Sequence, residues 1–330
     1  SLFHESMEGE ESDVKADDKG SAAILGDLQV LESLFLTCLT WSFGASMPRS
    51  TAADERSRFD SIVKKVAGLQ SSDQPVVPCS QVPSQTLYDY FFDVKKKSWV
   101  SWKSLVPEYD STEDVKFSKV LIPTVDTVRS TWLLSITMGQ GKSCLFVGEP
   151  GTAKSVTIAG YLASMDSSSN IVLNMNFSSR TSSMDVQRAV EDCVEKRTKD
   201  TYGPPMGKKL TIFLDDMNMP RVDTYGTQQP IALLKMLIDR RGLYDRGKEL
   251  NWKNIRDLKF VGAMGPPGGA RNPVDPRYIS LFNVFEIEFP SQDSLERIYE
   301  NILSKQLATI DAELLPWSKK FTGMTLELYS

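Results

Sequence analysis

Residues 148–155 combine glycines, a lysine and a hydroxyl in an order that suits phosphate binding. They read Gly-Glu-Pro-Gly-Thr-Ala-Lys-Ser, and we call them the phosphate loop. In the general pattern G-x-x-x-x-G-K-[ST], backbone N–H groups surround the phosphates, the lysine reaches the β- and γ-phosphates, and the hydroxyl ligates Mg2+. Ala153 stands where the pattern has its last glycine. Because alanine resists conformations that glycine tolerates, φ at Ala153 is expected to be negative or strained.

Two adjacent carboxylates provide a second chemical feature further along the chain. The mainly apolar run 210–214 ends in Asp215 and Asp216, and such a run is typical of a parallel strand buried on both faces. Asp215 is therefore expected to hold Mg2+ together with Ser155, although an acidic turn after a core strand is the alternative. ATPases of this layout usually have a glutamate at the Asp216 position, where it polarises the attacking water. The aspartate lacks one methylene, and a displacement of about 1 Å there costs about a hundredfold in rate.

Strand and helix patterns alternate around these residues, beginning with the apolar run 144–147 that precedes the phosphate loop. This alternation predicts an α/β fold with a parallel sheet flanked by helices. The other predicted elements are strands at 171–177, 210–214, 259–264 and 282–289, helices at 156–165, 182–197 and 231–241, and a hairpin at 242–256.

Both ends of the chain carry helical patterns without chemical groups of their own. Apolar positions repeat at three and four residues in 22–43, in 56–69 and again beyond Pro290, which predicts small helical segments at both ends. The first 20 residues hold seven carboxylates and two lysines, and we expect a loosely packed acidic loop there. Residues 71–118 are rich first in proline, serine and glutamine and then in aromatic residues, and we expect them to link and brace the neighbouring segments.

The composition excludes several classes of function. The chain has 330 residues and a net charge of −5, which gives no electrostatic reason to expect a nucleic acid as partner. Its four cysteines lack C-x-x-C spacing, which argues against zinc and disulfides. The single histidine, His4, leaves no basis for a histidine-based triad. We find no signal peptide and no continuous apolar run of 18 residues, so neither secretion nor a membrane span is expected.

Three long stretches resemble axonemal dynein heavy chains in their third AAA+ module. They are FLDDMNMPRVDTYGTQQPIALLK, LNMNFSSRTSSMDVQRAVEDCVEKRTKDTYGPPMGKK and YDRGKELNWKNIRDLKFVGAMG. The resemblance extends from about Thr40 to Leu303. It implies a P-loop NTPase (AAA+) fold and a place in a motor ring of six AAA+ modules within one polypeptide. In that ring the first module is the main ATPase and the third is a regulatory nucleotide site.

The resemblance also implies a division of the chain. Residues 1–70 would be the end of the helical lid of the preceding module, with the acidic loop at its start, and 71–118 would be the linking and bracing segment. Residues 119–290 would form the large α/β nucleotide-binding subdomain, and 291–330 the start of its own small helical subdomain. The chain begins without Met and ends in mid-pattern, so we expect a piece of a longer protein, with the second sensor arginine beyond Ser330.

Carried over position by position, the resemblance assigns roles to individual residues. Ser155 and Asp215 take the metal, Asp216 the catalytic acid position, and Arg277 the position of an arginine finger that reaches the nucleotide of the preceding module. Arg271 is a rival for the finger, and a surface salt bridge is the alternative role. The residues assigned to the nucleotide are Val120, Gly148, Pro150, Gly151, Thr152, Ala153, Lys154, Ser155 and Val156.

One further position departs from the family pattern. The strand at 259–264 usually ends in a polar residue that senses the γ-phosphate, and here that residue is Gly265. Glycine has no side chain that could orient water. Together with Asp216, Gly265 predicts a module that keeps its phosphate and metal ligands and hydrolyses slowly.

The expected function is therefore a regulatory module of an axonemal dynein that binds ATP or ADP with Mg2+. The alternatives are a fully competent ATPase that uses Asp216, a structural ring segment without nucleotide, and an AAA+ protein that remodels DNA. The expected partners are the adjacent AAA+ modules of the same heavy chain. Intermediate chains, light chains and microtubules would bind parts of the protein outside these residues, and no nucleic acid or membrane is expected. The expected location is the cytoplasm, in the cytoskeleton of the ciliary axoneme.

Overall fold

A computed structural model describes residues 27–47, 54–69, 77–78, 85–109, 121–247, 249–269 and 271–329. The chain forms two compact units. One contains Leu133–Ile287, and we call it the nucleotide unit. The other contains Ser1–Trp132 together with Glu288–Ser330, and we call it the helical unit.

The helical unit begins with two helices, α1 (Leu28–Ser42) and α2 (Glu55–Val66), followed by an antiparallel hairpin of β1 (Tyr90–Asp93) and β2 (Ser98–Ser101). Helix α2 begins at Asp54, whose carboxylate accepts the N–H of Ser57 at 3.1 Å and so satisfies a free donor of the first turn. The predicted helix 56–69 is confirmed, with a slightly earlier start and end. The prediction for 22–43 is confirmed from Leu28 onwards, and its first residues lie outside the described part of the chain.

Aromatic side chains fill the centre of the helical unit. Trp102 is only 1% exposed, and its ring lies 4.7 Å from that of Phe91 and 6.2 Å from that of Trp41. Trp132 joins the same cluster at 5.1 Å from Trp102. Aromatic pairs at these separations contribute about 0.5–1.5 kcal/mol each beyond the burial of their area. The aromatic residues therefore brace this unit, and a buried ring such as Trp102 is not available for stacking on bases.

One stretch of the helical unit has the length and composition of a membrane span. It runs from Leu28 to Ser46, and half of its most apolar window is buried within the fold. Four of its large apolar residues are almost fully buried, namely Val30, Leu34, Leu36 and Trp41. The core helix of a globular unit has these same properties.

The nucleotide unit is built on a parallel sheet of five strands, whose order across the sheet is Asn283–Glu286, Cys144–Val147, Leu258–Met264, Lys209–Asp215 and Asn170–Asn176. This sheet confirms the predicted α/β fold. Helix α3 (Val125–Gly139) precedes its first strand. The strands are β3 (Cys144–Val147), β4 (Asn170–Asn176), β7 (Lys209–Asp215), β10 (Leu258–Met264) and β11 (Asn283–Glu286), and the helices between them are α4 (Lys154–Ala163), α5 (Ser183–Glu191), α6 (Gln229–Arg240) and α7 (Pro276–Ile279).

Strand order and register bring the chemical residues to one edge of this sheet. Strand β10 lies between β3 and β7, with Met264 paired to Val147 and Gly262 paired to Leu214. Because all three strands are parallel, their carboxyl ends meet at the same edge. The phosphate loop follows β3, Asp215 ends β7, and Gly265 follows β10 between them.

A smaller sheet in the nucleotide unit corrects one predicted boundary. Helix α5 was expected to reach about residue 197 and ends at Glu191, with Asp192 as its C-cap. The next residues form β5 (Glu195–Lys196), which pairs with β6 (Thr201–Gly203). Across this sheet, β6 is followed by β9 (Trp252–Ile255) and then by β8 (Gly242–Tyr244) at the other edge. Pairing with β6 competes with the helix for these backbone groups. Strands β8 and β9 are antiparallel, which confirms the predicted hairpin.

The chain after the sheet is helical, as predicted. It forms α8 (Gln292–Ile310), a 3-10 segment (Ala312–Trp317) and α9 (Ser318–Tyr329) in the helical unit. Strand β11 is shorter than the predicted 282–289, because its regular pairing with β3 ends at Glu286.

Candidate functional site

Two glycines set the path of the phosphate loop. A Cβ added to Gly148 would lie 2.2 Å from the carbonyl oxygen of Ile287, so a larger residue cannot occupy this position without a backbone shift. Gly151 has φ +87°, a conformation that L side chains rarely adopt. The loop is therefore shaped by backbone requirements that only glycine meets at these two positions.

Ala153 adopts the strained one of the two expected conformations. Its φ of 58° and ψ of 20° are left-handed, and it is the N-cap of α4. For an L residue with a Cβ this conformation costs about 1–2 kcal/mol. The loop thus keeps the backbone path of the usual glycine although the residue is alanine.

We predict that Ala153→Gly will stabilise the start of α4 by about 0.5–1 kcal/mol. Glycine removes the left-handed strain, and its greater freedom in the unfolded chain offsets about 0.4–1 kcal/mol of that gain. Hydrogen exchange of the α4 amides measures the effect. The matched control is Ala159→Gly, since Ala159 is an exposed interior residue of the same helix and the change should destabilise it by about 0.5–1 kcal/mol. Equal destabilisation by both changes would contradict the prediction.

Lys154 folds back onto the mouth of the phosphate loop. Its ammonium donates to the carbonyl oxygens of Gly148 at 2.8 Å and Glu149 at 2.7 Å and to the hydroxyl of Thr152 at 3.0 Å. Burial lowers the pKa of Lys154, and the positive charge of Arg271 lowers it further. These three contacts are all to neutral oxygens, and a phosphate would add a full negative charge beside the ammonium.

Ser155 and Asp215 lie in direct contact across the sheet edge. The hydroxyl of Ser155 donates to Oδ1 of Asp215 at 2.8 Å, and the same oxygen accepts the N–H of Asp216 at 3.1 Å. Among the described residues no group of three or more His, Cys, Asp or Glu side chains could hold a metal ion. Mg2+ commonly uses one or two protein oxygens and completes its shell with phosphates and water. The pair Ser155 and Asp215 fits that ion.

Asp216 is half-exposed and faces a cation. Its Oδ1 lies 4.0 Å from Nη2 of Arg271. The backbone at Asp216 has φ 51°, a left-handed conformation in which aspartate is less strained than most residues. The sharp turn after β7 therefore depends on this residue type as well as on its charge.

Gly265 and the loop that follows it are tied to the segment after β7. The side-chain amide of Asn218 donates to the carbonyl oxygen of Gly265 at 2.8 Å, and the N–H of Asn272 donates to the carbonyl oxygen of Asn218 at 3.0 Å. Asn218 is 1% exposed. Sequence reasoning missed this residue, and its only signal was a polar side chain in the apolar surroundings after Asp215 and Asp216.

Arg277 stands apart from these groups in its chemical contacts. It lies in the short helix α7, is exposed, and its N–H donates to Asp275 at 3.0 Å. Within the described part of the chain its guanidinium makes no hydrogen bond or ion pair. Its charge does act on Asp275, whose pKa is lowered first by the hydrogen bond from Lys235 and further by the charge of Arg277. The finger role and the alternative surface salt bridge both stay predictions.

The remaining predicted nucleotide contacts are mixed in their accessibility. Pro150 is exposed and Val156 is 40% exposed, whereas Thr152 is buried and its hydroxyl donates to the carbonyl oxygen of Glu149 at 2.9 Å. Val120 lies outside the described residues.

Known protein families match nearly the whole chain. The family described as "P-loop containing dynein motor region" matches residues 109–290, and the "Dynein heavy chain AAA lid domain" matches residues 7–104. These two regions contain the phosphate loop with the two aspartates and the helical segment before it, respectively.

Curated relatives agree with the family matches. The chain is 59% identical over 308 residues to the dynein-1-alpha heavy chain of the flagellar inner arm I1 complex of Chlamydomonas reinhardtii. It is 52% identical over 307 residues to human dynein axonemal heavy chain 10 and 35% identical over 302 residues to human dynein axonemal heavy chain 2. The first two alignments cover 93% and 92% of this chain and 7% of each relative, and the third covers 91% of this chain and 6% of that relative. The chain therefore belongs to the dynein heavy chain family, of which it carries a P-loop motor region and, before it, residues that match the AAA lid.

Proposed function

We propose that this chain forms the third AAA+ module of an axonemal dynein heavy chain, preceded by the end of the second module's lid. The module binds ATP or ADP with Mg2+, hydrolyses ATP slowly, and gates microtubule-based motility of the cilium through its nucleotide state. It acts in the cytoskeleton of the axoneme. Its direct partners are the adjacent modules of the same heavy chain, and intermediate chains, light chains and microtubules bind elsewhere on the protein. We expect no nucleic acid or membrane partner.

The contact between Ser155 and Asp215 carries this proposal. It joins the phosphate loop to the end of β7 at 2.8 Å, which is the arrangement that a Mg2+-nucleotide requires of the two segments. The backbone N–H groups of the loop and the ammonium of Lys154 would hold the phosphates. Ser155 and Asp215 would ligate the metal, which when bound neutralises phosphate charge.

The proposal of slow hydrolysis rests on two positions, Asp216 and Gly265. Asp216 is one methylene shorter than the usual glutamate and lies 4.0 Å from the Arg271 guanidinium, which attracts its carboxylate. Gly265 offers no side chain that could hold a water. The residues proposed to bind phosphate and Mg2+ are thus all present, whereas those that would position the attacking water are shortened or missing. This combination favours retention of nucleotide over its hydrolysis.

Nucleotide content tests the binding part of the proposal. We expect the intact heavy chain, with the phosphate-loop lysines of its other modules replaced, to release nucleotide on denaturation and to melt at a higher temperature with MgADP or MgATP. Asp215→Asn should remove most of the benefit of adding Mg2+ while leaving metal-free binding nearly unchanged. Absence of both bound nucleotide and stabilisation would favour a structural ring segment.

A further inference from the structure

The place in the sheet that Gly265 occupies lies between the main groups of the site. Gly265 follows β10, and β10 lies between β3, which leads into the phosphate loop, and β7, which ends at Asp215. A polar side chain here would be well placed to touch a bound phosphate or its water. Gly265 has none, so any such contact must come from another residue.

Arg271 fills the space that a side chain at this position would take. A Cβ added to Gly265 would lie 2.6 Å from Nε, 2.9 Å from Cδ and 3.0 Å from Cζ of Arg271. Real Cβ atoms do not approach other atoms to 2.6 Å. The Arg271 guanidinium in its present position and a side chain at residue 265 therefore exclude each other.

A tight turn holds Arg271 in this position. The N–H of Arg271 donates to the carbonyl oxygen of Gly268 at 3.0 Å, and the N–H of Gly268 donates back to Arg271 at 3.2 Å. Gly268 and Gly269 have φ of 142° and 60°, which returns the chain sharply. Asn218 anchors the start of this loop at Gly265 and Asn272 anchors its end, as described above. The arginine is thus placed by backbone contacts on both sides, and little of its backbone remains to be ordered on binding.

The Arg271 guanidinium has an N–H donor that no described residue accepts. Within the described residues, its Nε is buried and has no hydrogen-bond partner. Its Nη2 is 4.0 Å from Asp216, which is longer than the roughly 2.7–2.9 Å of a charge-assisted hydrogen bond. A buried donor without a partner is costly, and a guanidinium matches the geometry of phosphate oxygens. An anion at this edge of the sheet would satisfy it.

We propose that Arg271 reads the terminal phosphate of the nucleotide bound in its own module and so favours a nucleoside triphosphate over a diphosphate. The inference rests on the proposed function, because it requires nucleotide in the phosphate loop. The γ side of the site is the side of Asp216, where the attacking water would stand, and Arg271 faces that carboxylate. A finger that acts on a neighbouring module would instead have to turn its guanidinium away from Gly265 and Asp216.

Affinities for two nucleotides test this inference. A fluorescent ADP and a non-hydrolysable ATP analogue are titrated, each with Mg2+, into the intact heavy chain with the other phosphate-loop lysines replaced. We expect Arg271→Ala to weaken binding of the ATP analogue roughly 10- to 100-fold, as for loss of a hydrogen bond to a charged group. Binding of ADP should change less than about threefold, since Arg271 has no γ-phosphate to contact there. Arg256→Ala is the matched control, because Arg256 is exposed and precedes β10 at the opposite edge of the sheet.

Two further variants keep the test decisive. Arg271→Met retains the apolar stem over Gly265, and it should also weaken binding of the ATP analogue and not of ADP. It replaces the alanine variant if that protein fails to fold. Gly265→Ala should lose the ATP preference, because its Cβ would displace the guanidinium and alanine has no polar atom with which to contact a phosphate. Adding Gly265→Ala to Arg271→Ala should cost no further ATP-analogue affinity.

The outcomes separate the two proposals. If the protein with Arg271 intact and the other phosphate-loop lysines replaced binds neither nucleotide, the proposed function itself is wrong. If it binds both and Arg271→Met lowers both affinities equally, Arg271 is only structural and the inference is overturned. The inference is equally overturned if neither affinity changes, which is the result expected of a finger directed at another module.

Discussion

Replacing Lys154 by alanine is expected to weaken binding of both MgATP and MgADP roughly 10- to 100-fold. The ammonium is the one cationic group of the phosphate loop itself and already lies among its oxygens, 2.8 Å from the carbonyl of Gly148. Hydrogen bonds to charged groups contribute about 1.5–3 kcal/mol, and each 1.4 kcal/mol is about tenfold in affinity. Both nucleotides carry the β-phosphate, so both should lose this contact. Titration of each nucleotide into the intact heavy chain, with its other sites disabled, measures the effect.

The matched control for Lys154 is Lys142→Ala. Lys142 is exposed in the turn before β3. Its replacement by alanine removes one positive charge, as the replacement of Lys154 does. We expect the Lys142→Ala variant to bind nucleotide with an affinity within about twofold of that of the protein with Lys142, because long-range attraction between exposed charges is screened at physiological salt. Equal losses in the two variants would mean that general charge attraction, and not the phosphate loop, holds the nucleotide.

Asp216→Glu is expected to raise the rate of ATP hydrolysis at this site about 10- to 100-fold. The added methylene moves the carboxylate forward by about 1 Å, and a displacement of this size in a water-positioning group changes rates by about that factor. Nucleotide affinity should change little, since Lys154, Ser155 and Asp215 are untouched. The left-handed backbone at residue 216 suits aspartate better than glutamate, so the variant should also be less stable by about 1 kcal/mol.

Asp216→Asn provides the control for this prediction. It keeps the size of the side chain and removes its charge, so it should bind MgATP as before and hydrolyse it still more slowly. The contrary result is a high rate of ATP hydrolysis in the protein with Asp216 that Asp216→Glu does not raise and Asp216→Asn abolishes. The aspartate would then be a competent catalytic group, and the proposal of slow hydrolysis would be wrong.

The main parts of the site could be predicted because their signals are local in the sequence. The strand, glycines, lysine and serine at 144–155 are consecutive, and the strand that carries Asp215 ends at the carboxylate itself. A parallel sheet then leaves few ways to arrange them, and the contact between Ser155 and Asp215 follows from strand order.

The surroundings of Arg271 could not be predicted in this way. Its position depends on a turn formed by two glycines with positive φ and on Asn218, which is 47 residues away from Gly265 along the chain. Such long-range contacts leave no periodic pattern. The sequence also left two conformations open at Ala153, since a residue type restricts φ without choosing it. Helix α5 ended early for a similar reason, because a partner strand competed for its last residues.

The rate of ATP turnover at this site distinguishes a module that retains nucleotide from one that consumes it. The rate of ATP hydrolysis is measured on the intact motor with the main ATPase module disabled, with and without Lys154→Ala. We predict that the site retains Mg2+-nucleotide in a Lys154-dependent manner and hydrolyses ATP far more slowly than a fully active module. A Lys154-dependent rate comparable to that of a fully active module would contradict the account.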